Sequence, residues 1–461
     1  MANIITLNDF FGQQEILYDP KLESYKYYKG FKNSDLGRIY DATPWKKLIK
    51  FFFSERTMGR PYKFPERTQI GLMILKSYTG LSDRQLMERL QSDIFFQIFC
   101  NIHLSPDEKY NSKIISDIRV RLAERLQTNE QIQTFQKILN NHWNDYIDFK
   151  DVLARIMMAD ATCYESWVRY PTDAKLLFEA VEFMHEKVLL PLSRVVERRL
   201  TVNNYYKVKS DYKDYSRKRR KTHKQTQKII GRLLYLLANQ LFKAAEYNGK
   251  LTKILSNQRY KKFQTVIEVY KQQSDLYVGK RVKNRIVSLS KPYIRPIVRG
   301  KETKRVEFGA KVHLLHIDGI DYIEHLDFNA FNEGKRLIPA ISLTKSLLGE
   351  VRIVAADGIY GTNENRKYCT KNNILTSFVR KGRAGKNEQA KSIIRQEASK
   401  LRATRMEGTF GVQKNHYNLS KIKARKKETE ILWIVFGIHT KNALEIGRRM
   451  RKQTETQQDT A

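Results

Sequence analysis

Hydrophobic periodicity divides the chain into a helical N-terminal stretch and a longer stretch in which strand and helix patterns alternate. Up to about residue 150 the apolar residues follow helical spacing, as in the helix predicted at Trp45–Phe53. A further helix is predicted at Glu66–Tyr78, and the capping box formed by Ser82 and Gln85 opens another at Asp83–Leu90. Two helices joined by a short turn either place the second helix in a DNA groove or form an ordinary hairpin in a helical bundle.

Two buried-strand patterns lie further along the chain, and each leads to a carboxylate. The apolar run that starts at Leu153 reaches Asp160, and the run that starts at Val351 ends at Asp357. Taken alone, each aspartate is more typical of a turn or a helix cap. If the two strands are neighbours, however, both carboxylates lie at one edge of a sheet, where the sites of open α/β proteins form.

A long helical insertion is predicted at residues 173 to about 291. Leucine and isoleucine recur there at helical spacing, at Ile230, Leu233, Leu234, Leu237 and Leu241. The preceding run, Ser216–Lys228, is densely basic and is either a solvated face or a contact to phosphate. The candidates for phosphate contact are Lys218, Arg219, Arg220 and Lys221.

The strand pattern resumes after the insertion. Asp318-Gly319 separates two strand patterns and predicts a hairpin, and a helix is expected at about Leu337–Leu348. His313, His316 and His325 lie in the hairpin strands, where such histidines are metal ligands or, more often, simply half-buried.

The C-terminal part is predicted to be helical. A helix is expected from Lys386 to about Asn415, in which Glu407 and Lys414 are seven residues apart and share a face. The apolar run at 431–438 is too short to span a membrane and predicts a core helix. Residues 448–461 are expected to be disordered.

Composition points to a polyanionic partner. Lysine and arginine total 85 against 49 acidic residues, a formal net charge of +36, while 41% of the residues are hydrophobic. A folded basic chain of this kind favours nucleic acid as partner over a membrane, since no run approaches 18 apolar residues. Without a signal-peptide pattern at the N-terminus we expect a cytoplasmic protein. Three isolated cysteines predict neither a disulfide framework nor a cysteine-rich zinc site.

Asp160, Asp357 and Glu407 together suggest one kind of chemistry. Phosphoryl transfer on DNA uses two divalent ions, one at the attacking oxygen and one at the leaving oxygen. Magnesium prefers carboxylate oxygens together with substrate phosphate, so three acidic side chains suffice for two Mg²⁺ or Mn²⁺ ions. No Walker-type glycine loop, HExxH pair or zinc-deaminase signature competes with this interpretation.

At this point the chain resembles the DDE transposases of bacterial insertion sequences, which share an RNase H-like catalytic fold. The resemblance is carried by ADATCYES around Asp160, FNEG from Phe331, DGIYGTNENRKYC from Asp357 and EGTFGVQKNHYNLSKIKAR from Glu407. YPTD from Tyr170, EFGAKVHL from Glu307 and the helical N-terminal segment extend it over nearly the whole chain. The order and combination of these motifs, rather than any single one, carry the likeness.

The resemblance implies that Asp160, Asp357 and Glu407 are the catalytic and metal-binding triad. A related group of these enzymes has an arginine upstream of the glutamate and a lysine seven residues after it. Lys414 matches that lysine, whereas the arginine position is occupied by Ala403, with Arg402 and Arg405 nearby as candidate DNA contacts. Tyr360, three residues after Asp357, matches a D-x-x-Y arrangement and is expected to pack on DNA or bond to it.

The fold class expected from the resemblance is α/β: an all-α domain at 1–150, and an RNase H-like mixed sheet at 151–447 that carries the insertion. The expected activity is metal-dependent cutting at insertion-sequence ends followed by strand transfer into target DNA. The partners would be double-stranded DNA, both terminal inverted repeats and target, and at least a second copy of the chain. The alternatives are an RNase H-like nuclease without strand transfer, a catalytically dead DNA-binding protein and a nonspecific basic nucleoid protein.

Overall fold

The structure is a computed structural model that describes residues 23–53, 62–105, 107–147, 156–298, 306–385 and 387–459. The fold is mixed α/β with an N-terminal helical region. Some predicted features extend beyond the described residues: the beginning of the strand pattern at Leu153, Lys386, and the last two residues of the chain.

The described residues form two compact units. The first unit contains the described residues up to Ser166, Ala310–Asp327, and those from Phe331 onward; the second contains Trp167–Gly309 and Phe328–Ala330. The C-terminal helix lies against three of the N-terminal helices, including Glu66–Thr79. The expected domain boundary at residue 150 stays a prediction.

The helices of the N-terminal region are α1 (Glu23–Asn33), α2 (Asp35–Asp41), α3 (Trp45–Phe53), α4 (Glu66–Thr79), α5 (Asp83–Ser92), α6 (Ile94–Cys100), α7 (Lys113–Ala123) and α8 (Asn129–Trp143). The helix predicted at Trp45–Phe53 is confirmed. Gly80 ends α4 in the left-handed conformation, and Ser82 and Gln85 form the predicted capping box of α5. Ten consecutive residues of α4 are buried, so this helix belongs to the core.

The exposed face of α5 carries charge that is already paired. Arg84 contacts Glu88, and Arg89 contacts Asp93, each as an i,i+4 pair. Whether α5 enters a DNA groove stays a prediction.

The sheet consists of β1 (Ile156–Ser166), β2 (Pro296–Val298), β3 (Val306–Ile317), β4 (Ile320–Asp327), β5 (Ile353–Ala356), β6 (Leu375–Thr376) and β7 (Lys421–Ile422). The strand order is β2-β3-β1-β5-β6, with β4 also paired to β3 and β7 to β1. β3 and β4 form the predicted antiparallel hairpin, in which Asp318 and Gly319 both have positive φ, as the favoured two-residue turn requires. β1 pairs in parallel with β5, and β5 with β6.

Three helices of the first unit connect or cover these strands: α15 (Leu337–Leu348), α16 (Asn363–Lys371) and α17 (Glu388–His416). The predicted helix at Leu337–Leu348 is confirmed. The predicted long helix around Glu407 corresponds to α17.

The second unit contains the predicted helical insertion. Its helices are α9 (Asp173–Phe183), α10 (Leu190–Val195), α11 (Tyr205–Arg217), α12 (His223–Ala245), α13 (Asn248–Ile254) and α14 (Asn257–Tyr277), and a π-helical turn joins α9 to α10. The leucine pattern of α12 is confirmed, since Ile230, Leu233, Leu234 and Leu237 are all buried in the core of this unit. The helices α9, α11 and α14 pack against α12.

The C-terminal helix, α18 (Lys427–Asp459), is longer than predicted. Its buried segment 431–438 is the predicted core helix. The helix also continues through the segment beyond residue 448 that was expected to be disordered. Polar contacts hold this part in place, because Arg449 donates to Asp318 Oδ2 at 2.6 Å and to the Tyr146 carbonyl, and Arg451 donates to Asn33.

Candidate functional site

Asp160 and Asp357 lie side by side at the centre of the sheet. The parallel pairing of β1 with β5 ends at Ala159 opposite Ala356, so the next residue of each chain segment is one of the aspartates. Neighbouring strands in a sheet are about 4.8 Å apart, so Asp160 and Asp357 directly follow paired positions of adjacent strands. Asp160 is not at the end of its strand, however: β1 continues to Ser166, where it pairs with β7 instead of β5. We call Asp160 and Asp357 the acidic site.

The Asp160 carboxylate is mostly buried and partly compensated. Its Oδ1 accepts the Ala161 N–H at 2.8 Å, and its Oδ2 lies 3.0 Å from Nη1 of Arg402. Burial raises the pKa of Asp160, and the charges of Glu333 and Asp357 raise it further, against the opposing effects of the Ala161 N–H and Arg402. Two other carboxylates are therefore close enough to act on this group.

Asp357 is exposed and caps a short 3-10 turn. Its Oδ1 accepts the Ile359 N–H at 3.1 Å, and the turn Gly358–Tyr360 follows. The turn brings Tyr360 back under the sheet edge, where its ring is fully buried and stacks on His313 with 5.6 Å between ring centroids. Protein atoms therefore cover this ring, and the contact of Tyr360 with DNA stays a prediction.

Helix α17 runs along one face of β1. Alternate residues of the strand contact it: Asp160 contacts Arg402, Thr162 Oγ1 lies 3.0 Å from Nζ of Lys414, and the Tyr164 hydroxyl donates to Gln413. Residues two apart in a strand share a face, which is why one helix reaches all three.

Glu407 lies on α17 between Arg402 and Lys414, and its side chain is exposed. Seven residues separate it from Lys414, so both project from one flank of the helix. Arg405, also exposed, lies on the same helix. The contact of Glu407 with the two aspartates stays a prediction.

Glu333 is a carboxylate that the sequence analysis did not assign to the site, although it is part of the FNEG motif. It lies 2.7 Å from Nζ of Lys311 and is close enough to Asp160 to raise the pKa of that group. The signal that could have found it is an acidic residue between Asn332 and Gly334, in the segment that joins the second hairpin strand to the helix predicted at Leu337–Leu348.

A fully buried carboxylate, Asp321, was also missed. Its Oδ2 accepts from Thr409, Gln413 and Lys441 at 2.7–2.8 Å, and its Oδ1 accepts from His316 at 2.6 Å. Burial alone would raise the pKa of Asp321, but Lys441 and His316 outweigh it and hold the pKa well below its usual range. We call these five residues the Asp321 network; it fastens α17 to the hairpin and to α18.

The hairpin histidines are held by protein groups. His313 Nδ1 lies 2.9 Å from Glu324, whose carboxylate also accepts from Nε of Arg336 at 3.0 Å. His316 belongs to the Asp321 network, and His325 contacts Asn129 at 3.2 Å. Across the described ranges, no group of three or more His, Cys, Asp or Glu side chains is arranged to hold a metal ion.

The acidic site suits a magnesium ion that also binds a phosphate. Mg²⁺ is usually held by one or two carboxylates together with substrate phosphate and water, and Asp160 and Asp357 provide two hard oxygen ligands on adjacent strands. Thr162 lies two residues further along β1, and Lys414 of α17 donates to its hydroxyl at 3.0 Å.

The basic candidates of the insertion lie in the turn between α11 and α12. Lys218, Arg219, Arg220 and Lys221 are all exposed. Lys221 donates to the Lys218 carbonyl at 2.7 Å and lies over the Tyr215 ring, so the turn presents its charges from a fixed backbone.

The sheet with paired aspartates and the basic surface define a candidate DNA-processing protein, and comparison with known proteins supports this class. Residues 24–121 match the family model of a transposase domain (DUF772), which covers most of the N-terminal helices. The match supports a transposase-like role for the chain. Searches among curated proteins and among solved structures find no match. Among the described helices, none is long and apolar enough to cross a membrane.

Proposed function

We propose that the chain is a DDE transposase with an RNase H-like catalytic sheet, which cuts the ends of an insertion sequence and joins them to target DNA. The observation that carries the proposal is the register of β1 with β5, which aligns Asp160 with Asp357. The transposase-domain match at residues 24–121 supports the same class of function. A mixed sheet that combines an antiparallel hairpin with parallel strands is compatible with the proposed fold.

In the proposed reaction, water attacks a phosphodiester at the element end, one P–O bond forms, one breaks and a 3′-hydroxyl leaves. That hydroxyl then attacks a phosphodiester of the target, so strand transfer again exchanges one P–O bond for another. Divalent ions, when bound, would activate the attacking oxygen and stabilise the leaving one. Positioning and charge neutralisation supply most of the catalysis in reactions of this type.

The positions of the side chains in the fold suggest a role for each of them in this reaction. Asp160 and Asp357 would hold Mg²⁺ or Mn²⁺, with Glu407 as the third carboxylate from α17. Arg402 contacts Asp160 and Lys414 contacts Thr162, so two cationic side chains lie along β1. Both would contact DNA phosphates. Arg405 and the four basic residues at 218–221 would also bind DNA phosphates.

The partners proposed are terminal inverted repeats and target DNA, held by two or more copies of the chain because two ends are joined in one event. The test is a cleavage and strand-transfer assay with Mg²⁺ or Mn²⁺ on DNA that carries the repeats flanking the gene. We expect 3′-end cuts and joined products, and a decrease of about 100-fold or more for Asp357→Asn, since this variant lacks a carboxylate that would hold the charge-stabilising divalent ion.

The outcomes separate the alternatives. Cut ends without joined products would indicate a nuclease, and end-specific binding without cutting would indicate a DNA-binding protein that has lost catalysis. Binding without any end preference and with a steep salt dependence would indicate a nonspecific basic protein. Full activity in Asp357→Asn would contradict the assigned site.

A further inference from the structure

The FNEG segment, Phe331–Gly334, packs against the turn Gly358–Tyr360 that follows Asp357. The Asn365 side chain donates to the carbonyl of Gly334 at 2.7 Å and to the carbonyl of Tyr360 at 2.8 Å, so one amide joins both segments. A Cβ atom on Gly334 would lie 2.8 Å from the Ile359 carbonyl oxygen, which shows how closely the two backbones approach. Glu333 is therefore held at a fixed place beside the acidic site.

The Glu333 side chain is mostly buried, at 19% exposure, and it forms an ion pair with Lys311 of β3. The negative charge of Glu333 contributes to the raised pKa of Asp160. The position of Glu333 thus combines proximity to Asp160 with a nearby cation that partly balances its charge.

The Tyr360 hydroxyl supplies an independent observation. Its ring is fully buried, and among the described residues its oxygen has no hydrogen-bond partner. Burial raises the pKa of this hydroxyl most, and the charges of Glu333, Asp160 and Asp357 raise it further. A buried donor without an acceptor costs about 1–3 kcal/mol, so such a group calls for a partner in another state of the molecule.

We propose that Glu333 is a further carboxylate of the acidic site and that the Tyr360 hydroxyl is its positioning donor when a divalent cation is bound. This inference rests on the proposed function, because it assigns the cation to Asp160 and Asp357. Glu333 would not bind the ion directly, since no three His, Cys, Asp or Glu side chains in the described ranges surround one metal position. It would act on the water molecules around the ion and on the electric field at the ion. Groups of this outer kind orient the direct ligands and tune the affinity.

The first experiment measures Mn²⁺ affinity of the full chain by electron paramagnetic resonance, without DNA. Four proteins are compared: the wild type, Asp357→Asn, Glu333→Gln and the control Glu364→Gln, which removes an exposed carboxylate from the first turn of α16. We expect weaker binding for Asp357→Asn, a decrease of roughly 10-fold for Glu333→Gln, and no change for Glu364→Gln.

The second experiment separates positioning from folding. Tyr360→Phe removes only the unpartnered oxygen, so we expect a Tm no lower than that of the wild type and Mn²⁺ binding weaker by roughly 10-fold. The matched control is Tyr322→Phe, which removes a buried hydroxyl that donates to Asn140 at 2.6 Å. That control should lower Tm and leave Mn²⁺ binding unchanged.

The results distinguish the inference from the function on which it rests. Weak binding in Asp357→Asn with wild-type binding in Glu333→Gln and Tyr360→Phe would overturn the inference and leave the proposed function in place. Wild-type binding in Asp357→Asn would overturn the cation site itself and the inference with it. A lower Tm in Tyr360→Phe with unchanged Mn²⁺ binding would show that the hydroxyl is structural.

Discussion

The Asp321 network and the acidic site, both in the first unit, differ in how completely their carboxylate charges are compensated. The Asp321 carboxylate accepts four hydrogen bonds from side chains of β3, α17 and α18. Asp160 accepts from Arg402 and one backbone N–H while two further carboxylates act on it, and the Tyr360 hydroxyl beside it has no described partner. Side chains of the protein compensate the charge of Asp321, whereas they compensate the acidic site only in part.

The difference separates a structural role from a functional one. A buried charge whose partners are all present rigidifies the elements that it joins, whereas an incompletely paired cluster is high in energy until a ligand completes it. The Asp321 network joins Thr409 and Gln413 of α17 to the hairpin, and the same helix carries Glu407 and Lys414. The Asp321 network therefore holds one flank of α17, and Glu407 and Lys414 lie on another flank of the same helix.

The largest expected effect is on stability. Asp321→Asn leaves Lys441 buried without its carboxylate, so we expect the free energy of unfolding to fall by about 3–5 kcal/mol. Denaturant unfolding monitored by circular dichroism measures it. The control Asp107→Asn changes an exposed aspartate and should stay within about 0.5 kcal/mol of the wild type. If Asp321→Asn is as stable as this control, the structural role of the Asp321 network, and with it the difference from the acidic site, is contradicted.

A second prediction concerns DNA affinity. Because the acidic site gathers negative charge, attraction to DNA must come from basic surface such as the turn at 218–221. Replacing Lys218, Arg219, Arg220 and Lys221 by Gln should reduce the slope of log affinity against log salt by about 3–4, if each residue contacts a phosphate. Fluorescence anisotropy at several salt concentrations measures the slope.

The matched control for this prediction removes the same charge from other exposed positions of the second unit, at Lys250, Lys253, Lys261 and Lys271. We expect a smaller change of slope for the control, because these residues act only through the overall charge. Equal slopes for both quadruple variants would show that 218–221 is a solvated surface.

The smallest effect is a pH dependence whose sign differs between the two groups. The pKa of Asp160 is raised by burial and by neighbouring carboxylates, so its contribution to stability is present below the unfolded value of about 3.9 and is lost as pH rises through the folded value. Asp321, whose pKa is lowered, contributes above about pH 3.9 and loses that contribution as pH falls.

Unfolding measured from about pH 4 to about pH 7 tests this sign. The stability of Asp160→Asn relative to the wild type should increase with pH, because the variant lacks the carboxylate that becomes charged. A relative stability that decreases with pH over this range would contradict the raised pKa of Asp160.

Local patterns predicted several elements correctly. Ser82 and Gln85 specified a capping box, Asp318-Gly319 specified the hairpin turn, and the leucine spacing of α12 specified its buried face. Each of these signals acts within a few residues, through backbone conformation or through one face of a helix. The expectation of a disordered C-terminal tail failed because Arg449 and Arg451 are held by residues far away in the chain.

The sequence by itself determined that Asp160 and Asp357 each come directly after an apolar strand segment. Only the tertiary structure decided that Ala159 pairs with Ala356, and that Glu333 and Tyr360 lie beside the two carboxylates. The pairing of strands so distant in the chain depends on which sheet packs best as a whole, and no local propensity encodes it. The same holds for Asp321, whose burial is acceptable only because α17 and α18 bring Gln413 and Lys441 to it.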